Sequence, residues 1–222
     1  MIYLPVTLLL FLVLLLLLPF IWFALAIDIV EVAVAKLGFS PEIALLLLLA
    51  VIIGSTINIP LYEKETEIPI TSDLMELWLR QFWGIPLQKT PQKSIIAINV
   101  GGGLIPIGLA IYELFRSDAL EILLVAAIVT VISYFASQVV PGIGIQMNPL
   151  IGPLTASLSA VLLGGGNAPA VAFAGGVLGV LIGADLLNLG QIGRTTPGVL
   201  SIGGAGVFDG IALCGLFALL LT

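Results

Sequence analysis

The chain has 222 residues, 60% of them hydrophobic and 9% charged, with a mean hydropathy of +1.25. A soluble domain carries about a quarter charged residues, so this composition excludes an ordinary soluble globule and makes a lipid bilayer the solvent to reason with. A net charge of −6 offers no basic patch for a nucleic-acid partner, and with no histidine and one cysteine, Cys214, the chain has no intramolecular disulfide, no Ser-His or Cys-His dyad and no HExxH zinc helix.

Hydropathy predicts an all-α polytopic membrane protein, a single integral domain over 1–222 with about seven transmembrane helices near 3–27, 43–57, 100–115, 120–139, 148–163, 168–187 and 200–221. The first segment ends in a small-x-small triplet, Ala24-Leu25-Ala26, like a signal-peptide cleavage site. Its leading residues hold no Lys or Arg and its apolar run is too long for such a signal, so it reads as a retained helix. Lys64, Arg80, Lys89, Lys93 and Arg194 fall on one side of this layout, with Lys36 and Arg116 on the other. The excess of positive charge belongs in the cytoplasm, which predicts a multi-pass protein of the cell membrane with a cytoplasmic N-terminus and an external C-terminus.

The one long polar connection, 61–94, contains SDLMELWLRQFW at 72–83, where Leu74, Leu77, Trp78 and Phe82 recur at helical spacing beside charges. That pattern predicts an interfacial amphipathic helix. Around it, 57–59 and 96–100 alternate apolar and polar residues as short strands do, which predicts a small hairpin at the membrane surface.

Laid against itself, the chain repeats. Ile98-Asn99-Val100-Gly101-Gly102-Gly103 aligns with Leu200-Ser201-Ile202-Gly203-Gly204-Ala205, and Ile52-Ile53-Gly54-Ser55-Thr56 with Leu181-Ile182-Gly183-Ala184-Asp185. Asn58 then meets Asn188, and a Thr-Pro pair precedes both glycine runs, at Thr90-Pro91 and Thr196-Pro197. The second and third helices thus correspond to the sixth and seventh. This is a parallel three, one, three layout, with repeats near 1–115 and 141–222 and a linker helix near 119–140.

A carboxylate in the bilayer interior costs on the order of 3 kcal/mol on insertion scales, so intramembrane acids mark function. Asp185 and Asp209 fall inside the last two apolar segments, whereas Asp28, Glu31, Glu42, Glu113, Asp118 and Glu121 read as solvated or capping charges at helix ends. Antiparallel neighbouring helices bring the two aspartates to similar depth when the Gly203–Gly206 stretch stays extended. Two carboxylates in close approach share one proton, which makes an acid–base pair. Between 141 and 153 the sequence holds too many prolines and glycines for a regular membrane helix, so the backbone either unwinds and lines a cavity, with Gln146 and Asn148 as lining residues, or forms an external loop.

Consecutive helices each giving one aspartate, the second beside a glycine element (Gly204-Ala205-Gly206-Val207-Phe208-Asp209), resemble the presenilin and signal-peptide-peptidase class of intramembrane aspartyl proteases. The likeness is partial, because the acid does not directly follow the Gly-x-Gly and Asn148-Pro149-Leu150, the counterpart of that class's Pro-Ala-Leu element, precedes both aspartates. The strings INVGGGLIPIG, PGIGIQMNPLIGPL, LIGADLLNL and SIGGAGVFDGI resemble an archaeal and bacterial membrane-protein family known only as a domain of unknown function.

These observations give two functional readings and one structural reading. In the first, an aspartyl-type hydrolase uses Asp185 and Asp209 as its dyad, with Gln146, Asn148, Pro149, Leu150, Asn188, Gly204 and Gly206 lining the groove for a transmembrane peptide. In the second, a secondary transporter or proton pathway uses the same acids on a small solute or ion, and in the third the acids only brace the helices. No metal, cofactor or nucleotide is implied, since no thiolate cluster or GxxxxGK[ST] loop is present, and lipids are the expected surroundings.

Overall fold

Runs of Leu, Ile, Val and Ala with few breakers satisfy their backbone by winding into helices, and in this chain the glycine- and proline-rich junctions between them are where other backbone geometries enter. The computed structural model describes residues 6–66, 92–140, 144–163, 165–190, 198–204 and 210–222. The amphipathic helix expected at 72–83 lies outside the described residues, as do Asp209 and Gly206.

Seven α-helices occur among the described residues: α1 (Val6–Lys36), α2 (Pro41–Gly54), α3 (Ile105–Arg116), α4 (Ala119–Ala136), α5 (Ile151–Leu163), α6 (Ala168–Val180) and α7 (Gly210–Leu221). Five strands accompany them: β1 (Asn58–Thr66), β2 (Gln92–Asn99), β3 (Gln138–Val140), β4 (Gly144–Gln146) and β5 (Gly198–Ile202). The fold is mostly helical, and among the described residues three helices are long and apolar enough to cross a membrane: Leu8–Lys36, Ala119–Ala136 and Gly165–Asn188.

Two compact units divide the chain, residues 1–50 and 51–222. In the first, α1 continues past the end expected from hydropathy, taking in Asp28 and Glu31, which therefore do not flank a helix but lie within one. Gly38, at φ 78°, stops it, because a left-handed residue just past the last turn costs glycine nothing. Ser40 then accepts from the Ala44 amide and Pro41 opens α2, where its missing N–H is no loss.

In the second unit the two strands expected around the long connection are present, pair with each other and carry a third. β1 pairs antiparallel with β2, Asn58 opposite Asn99, and β2 pairs parallel with β5, Ile98 opposite Ile202. β5 corrects the expected last helix: residues 200–202 are strand, and α7 begins only at Gly210. Likewise, 138–140 form β3 instead of ending a helix.

Two helices are interrupted by π-turns. Val100–Leu104 leads into α3, its first turn capped by Asn99, whose side chain accepts from the Gly102 amide at 2.9 Å. Leu181–Asp185 follows α6 and passes into a single 3-10 turn, Leu186–Asn188.

The core of this unit is built around α6, in which every residue from Ala170 to Val177 is buried. Glycines recur every fourth residue on one face, and a Cβ at Gly175 would lie 2.7 Å from the Val125 side chain, while one at Gly179 would collide with Val129. At Gly183 it would overlap the Thr130 backbone. This face therefore packs directly on α4, the close approach that small residues at four-residue spacing allow. On another face Gly176 would meet Ala156 of α5 and Cys214 of α7, each at 2.9 Å.

Candidate functional site

The second unit contains a cavity of about 640 Å³, and Asp185 is in its wall. The π-turn explains how an acid arrives there: it ends α6 at Asp185, so the side chain stands where the helix changes to a tighter winding. The β3–β4 ladder pairs Gln138 with Gln146, which sets two amide side chains on one face of a two-stranded sheet, and both line the same cavity. Asn148 and Pro149 continue the wall into the start of α5, where the Asn148 side-chain oxygen accepts from the Leu150 amide at 3.0 Å and its carbonyl from Ile151 at 3.1 Å. Apolar surface comes from Ala136, Ile145, Met147, Val180, Ala184 and Ile211.

Four of the residues singled out from sequence, Asp185, Gln146, Asn148 and Pro149, thus line one cavity. Leu150 is half exposed and not among the lining residues, and Gly204, in the turn after β5, donates its amide to the Ser201 carbonyl at 2.9 Å. Asn188 is buried behind the wall. Its amide nitrogen donates to the Ala184 carbonyl at 2.9 Å, to the Gly183 carbonyl at 3.3 Å and to the Ser137 hydroxyl at 2.9 Å. Asp209 and Gly206 lie outside the described residues, and Ile211, two positions after Asp209 in sequence, is in the cavity wall.

Gln138 was not among the residues singled out. An amide closing a long apolar run is the sequence signal that would have pointed to it, and its side chain is exposed at the start of β3. Met147 and Ile211 carry no such signal; the tertiary fold alone brings them to the cavity.

The repeat-related polar residues form a separate cluster. Asn99, fully buried, donates to the Ser55 carbonyl at 2.8 Å and to the Asn58 side-chain oxygen at 3.1 Å, and the Ser201 hydroxyl donates to that same oxygen. Next to it, Gly203, at φ +70°, allows its chain to touch the Gly102–Gly103 backbone.

Glu113, expected to be a solvated charge, is buried instead. Its Oε2 accepts from the Ser117 hydroxyl at 3.3 Å and its Oε1 lies 3.6 Å from the Arg116 guanidinium without a hydrogen bond. Among the described residues, no group of three His, Cys, Asp or Glu side chains is arranged to hold a metal ion.

Residues 52–221 match the family described as "Protein of unknown function (DUF1614)". No curated protein and no solved structure matches the chain.

Proposed function

We propose that this chain, which belongs to the DUF1614 family of proteins of unknown function, is a multi-pass membrane hydrolase that cleaves peptide bonds with Asp185 and Asp209 as an aspartyl dyad. The observation that carries the reading is the cavity: it joins an acid from the end of α6 to three side-chain amides, and Ile211, close in sequence to the second acid, is in its wall. A carboxylate, a shared proton and groups that hydrogen-bond peptide units are what amide hydrolysis needs.

In the proposed reaction the ionised aspartate takes a proton from water, whose oxygen attacks the scissile carbonyl carbon. The protonated aspartate hydrogen-bonds to the carbonyl oxygen as charge develops there, and a proton is then delivered to the departing amine as the carbon–nitrogen bond breaks. Gln138, Gln146 and Asn148 both donate and accept, so they suit an extended peptide whose own groups do the same. The occupant we infer is a transmembrane peptide, surrounded by membrane lipid.

The proposal includes seven membrane crossings in a three, one, three order with the N-terminus in the cytoplasm. Its support is the pairing of β2 with β5: the repeat aligns these two segments, and they lie parallel side by side ahead of α3 and α7.

The test is cleavage of single-span substrates by the purified protein in lipid. Asp185→Asn and Asp209→Asn should each lower kcat by roughly 10³-fold or more, and the double variant should be no worse than either, because members of one catalytic unit are not additive. Full activity in either single variant ends the dyad. A parallel repeat also suits a carrier. If the variants abolish proton or cation flux into liposomes and the wild type cleaves nothing, the carrier reading replaces the hydrolase.

A further inference from the structure

We propose that Asn188 and Ser137 form a clamp that fixes the direction of Asp185, making both of them positioning residues of the cavity. The inference takes its functional meaning from the reading above, but its geometry stands without it.

A π-turn followed by a 3-10 turn leaves carbonyls without their usual i+4 amide, and a buried carbonyl left unpaired is costly. Here the Asn188 side chain takes that role, donating to the carbonyls of Gly183 and Ala184, immediately before Asp185. The same nitrogen reaches across to the Ser137 hydroxyl, which in turn donates to the Tyr134 carbonyl at 3.0 Å. One chain of hydrogen bonds therefore runs from the last turn of α4 to the turn that carries the acid.

The positions on either side show what this chain holds. Ser137 lies between Ala136 and Gln138, and both of those line the cavity, as do Ala184 and Asp185 on the turn that Asn188 ties to it. The clamp is thus the tie behind the wall that sets the spacing between the acid and the Gln138–Gln146 amide pair. An asparagine committed to two carbonyls and a hydroxyl has no donor left for substrate, which separates Asn188 from the residues that face the cavity. Bond networks of this kind orient the groups in front of them, and loosening them misplaces those groups without removing them.

The experiment labels carboxyls of the full chain in lipid with a hydrophobic carbodiimide at fixed pH and measures the rate at Asp185 by mass spectrometry. Glu113, buried in α3, is the internal reference for general loosening of the fold. Ser137→Ala should raise the Asp185 rate at least about threefold while the Glu113 rate holds, and Ser137→Thr, which keeps the hydroxyl, should restore it. Asn188→Ala should act in the same direction and further; if it does not fold, the Ser137 pair decides. An unchanged Asp185 rate in Ser137→Ala overturns the clamp, as does a parallel rise at Glu113 or a Ser137→Thr variant that behaves like alanine. Failure of the hydrolase reading looks different: Asp185→Asn would then retain peptide cleavage, whatever the labelling shows.

Discussion

At the scale of single residues, buried amides carry more of this fold than its charges do. Asn99 satisfies two carbonyl-type acceptors and one backbone donor from a position with no exposure, joining the end of α2, β1 and the π-turn before α3. Asn99→Ala strands the Gly102 amide and the Ser55 carbonyl, which should cost about 1–3 kcal/mol. Asn99→Asp has the same shape but turns an acceptor toward the Ser55 carbonyl and the Asn58 side-chain oxygen, so at neutral pH it should be the worse of the two in a denaturant-titrated unfolding measurement. Part of this was legible from sequence: the alignment of Asn99 with Ser201 marks polar positions in matching places, and the two join one network through Asn58. What the alignment could not show is that Asn188, the counterpart of Asn58, bonds instead to its own helix end and to Ser137, because sequence similarity says nothing about which acceptors a fold leaves open.

At the scale of elements, length and apolar content revealed the helices, and the points where they stop were hidden. β5 reads Val199-Leu200-Ser201-Ile202, a short apolar run that periodicity cannot tell from the start of a helix. Its strand character comes from pairing with β2, a contact across about a hundred residues of sequence that no local pattern encodes. The π-turns are hidden because a segment such as α6, apolar on nearly every face, has no hydrophobic stripe for an extra residue to displace. The glycine spacing of α6, in contrast, is visible in the sequence, and it is this spacing that the close approach to α4 uses. Gly179→Ala should therefore destabilise the protein by about 1–3 kcal/mol, the cost of forcing a methyl into a packed contact. Gly108→Ala on α3, where an added Cβ would meet nothing within 4 Å, should be neutral or stabilising by up to about 1 kcal/mol. A thermal or detergent unfolding series with both variants checks this, and equal effects would mean that the α4–α6 contact is not the tight one.

At the scale of the whole molecule, the sequence displayed the solvent and withheld the arrangement. Composition alone argues for lipid, and Asp185, Gln146 and Asn148 each drew notice as polar groups in apolar surroundings. That they share one cavity follows only from the folding of α6 against α4 and of the β3–β4 ladder beside them. The three long apolar helices differ in what surrounds them: in their most apolar windows, none of the α1 residues are buried within the molecule, against 28% for Ala119–Ala136 and 67% for Gly165–Asn188. In a bilayer the unburied surface must be covered by lipid or by other membrane proteins, because Leu, Ile and Phe on every side of α1 between Leu8 and Leu25 leave no face for water there. A photoactivatable reagent dissolved in the acyl chains should therefore label α1 and the outer face of α4 heavily and the α6 segment least. Digestion and mass spectrometry read that order directly. Uniform labelling of all three would mean that the packing around α6 does not persist in the membrane. Weak labelling of α1 in lipid, restored when the protein is diluted in detergent, would mean that protein covers this helix in place of lipid.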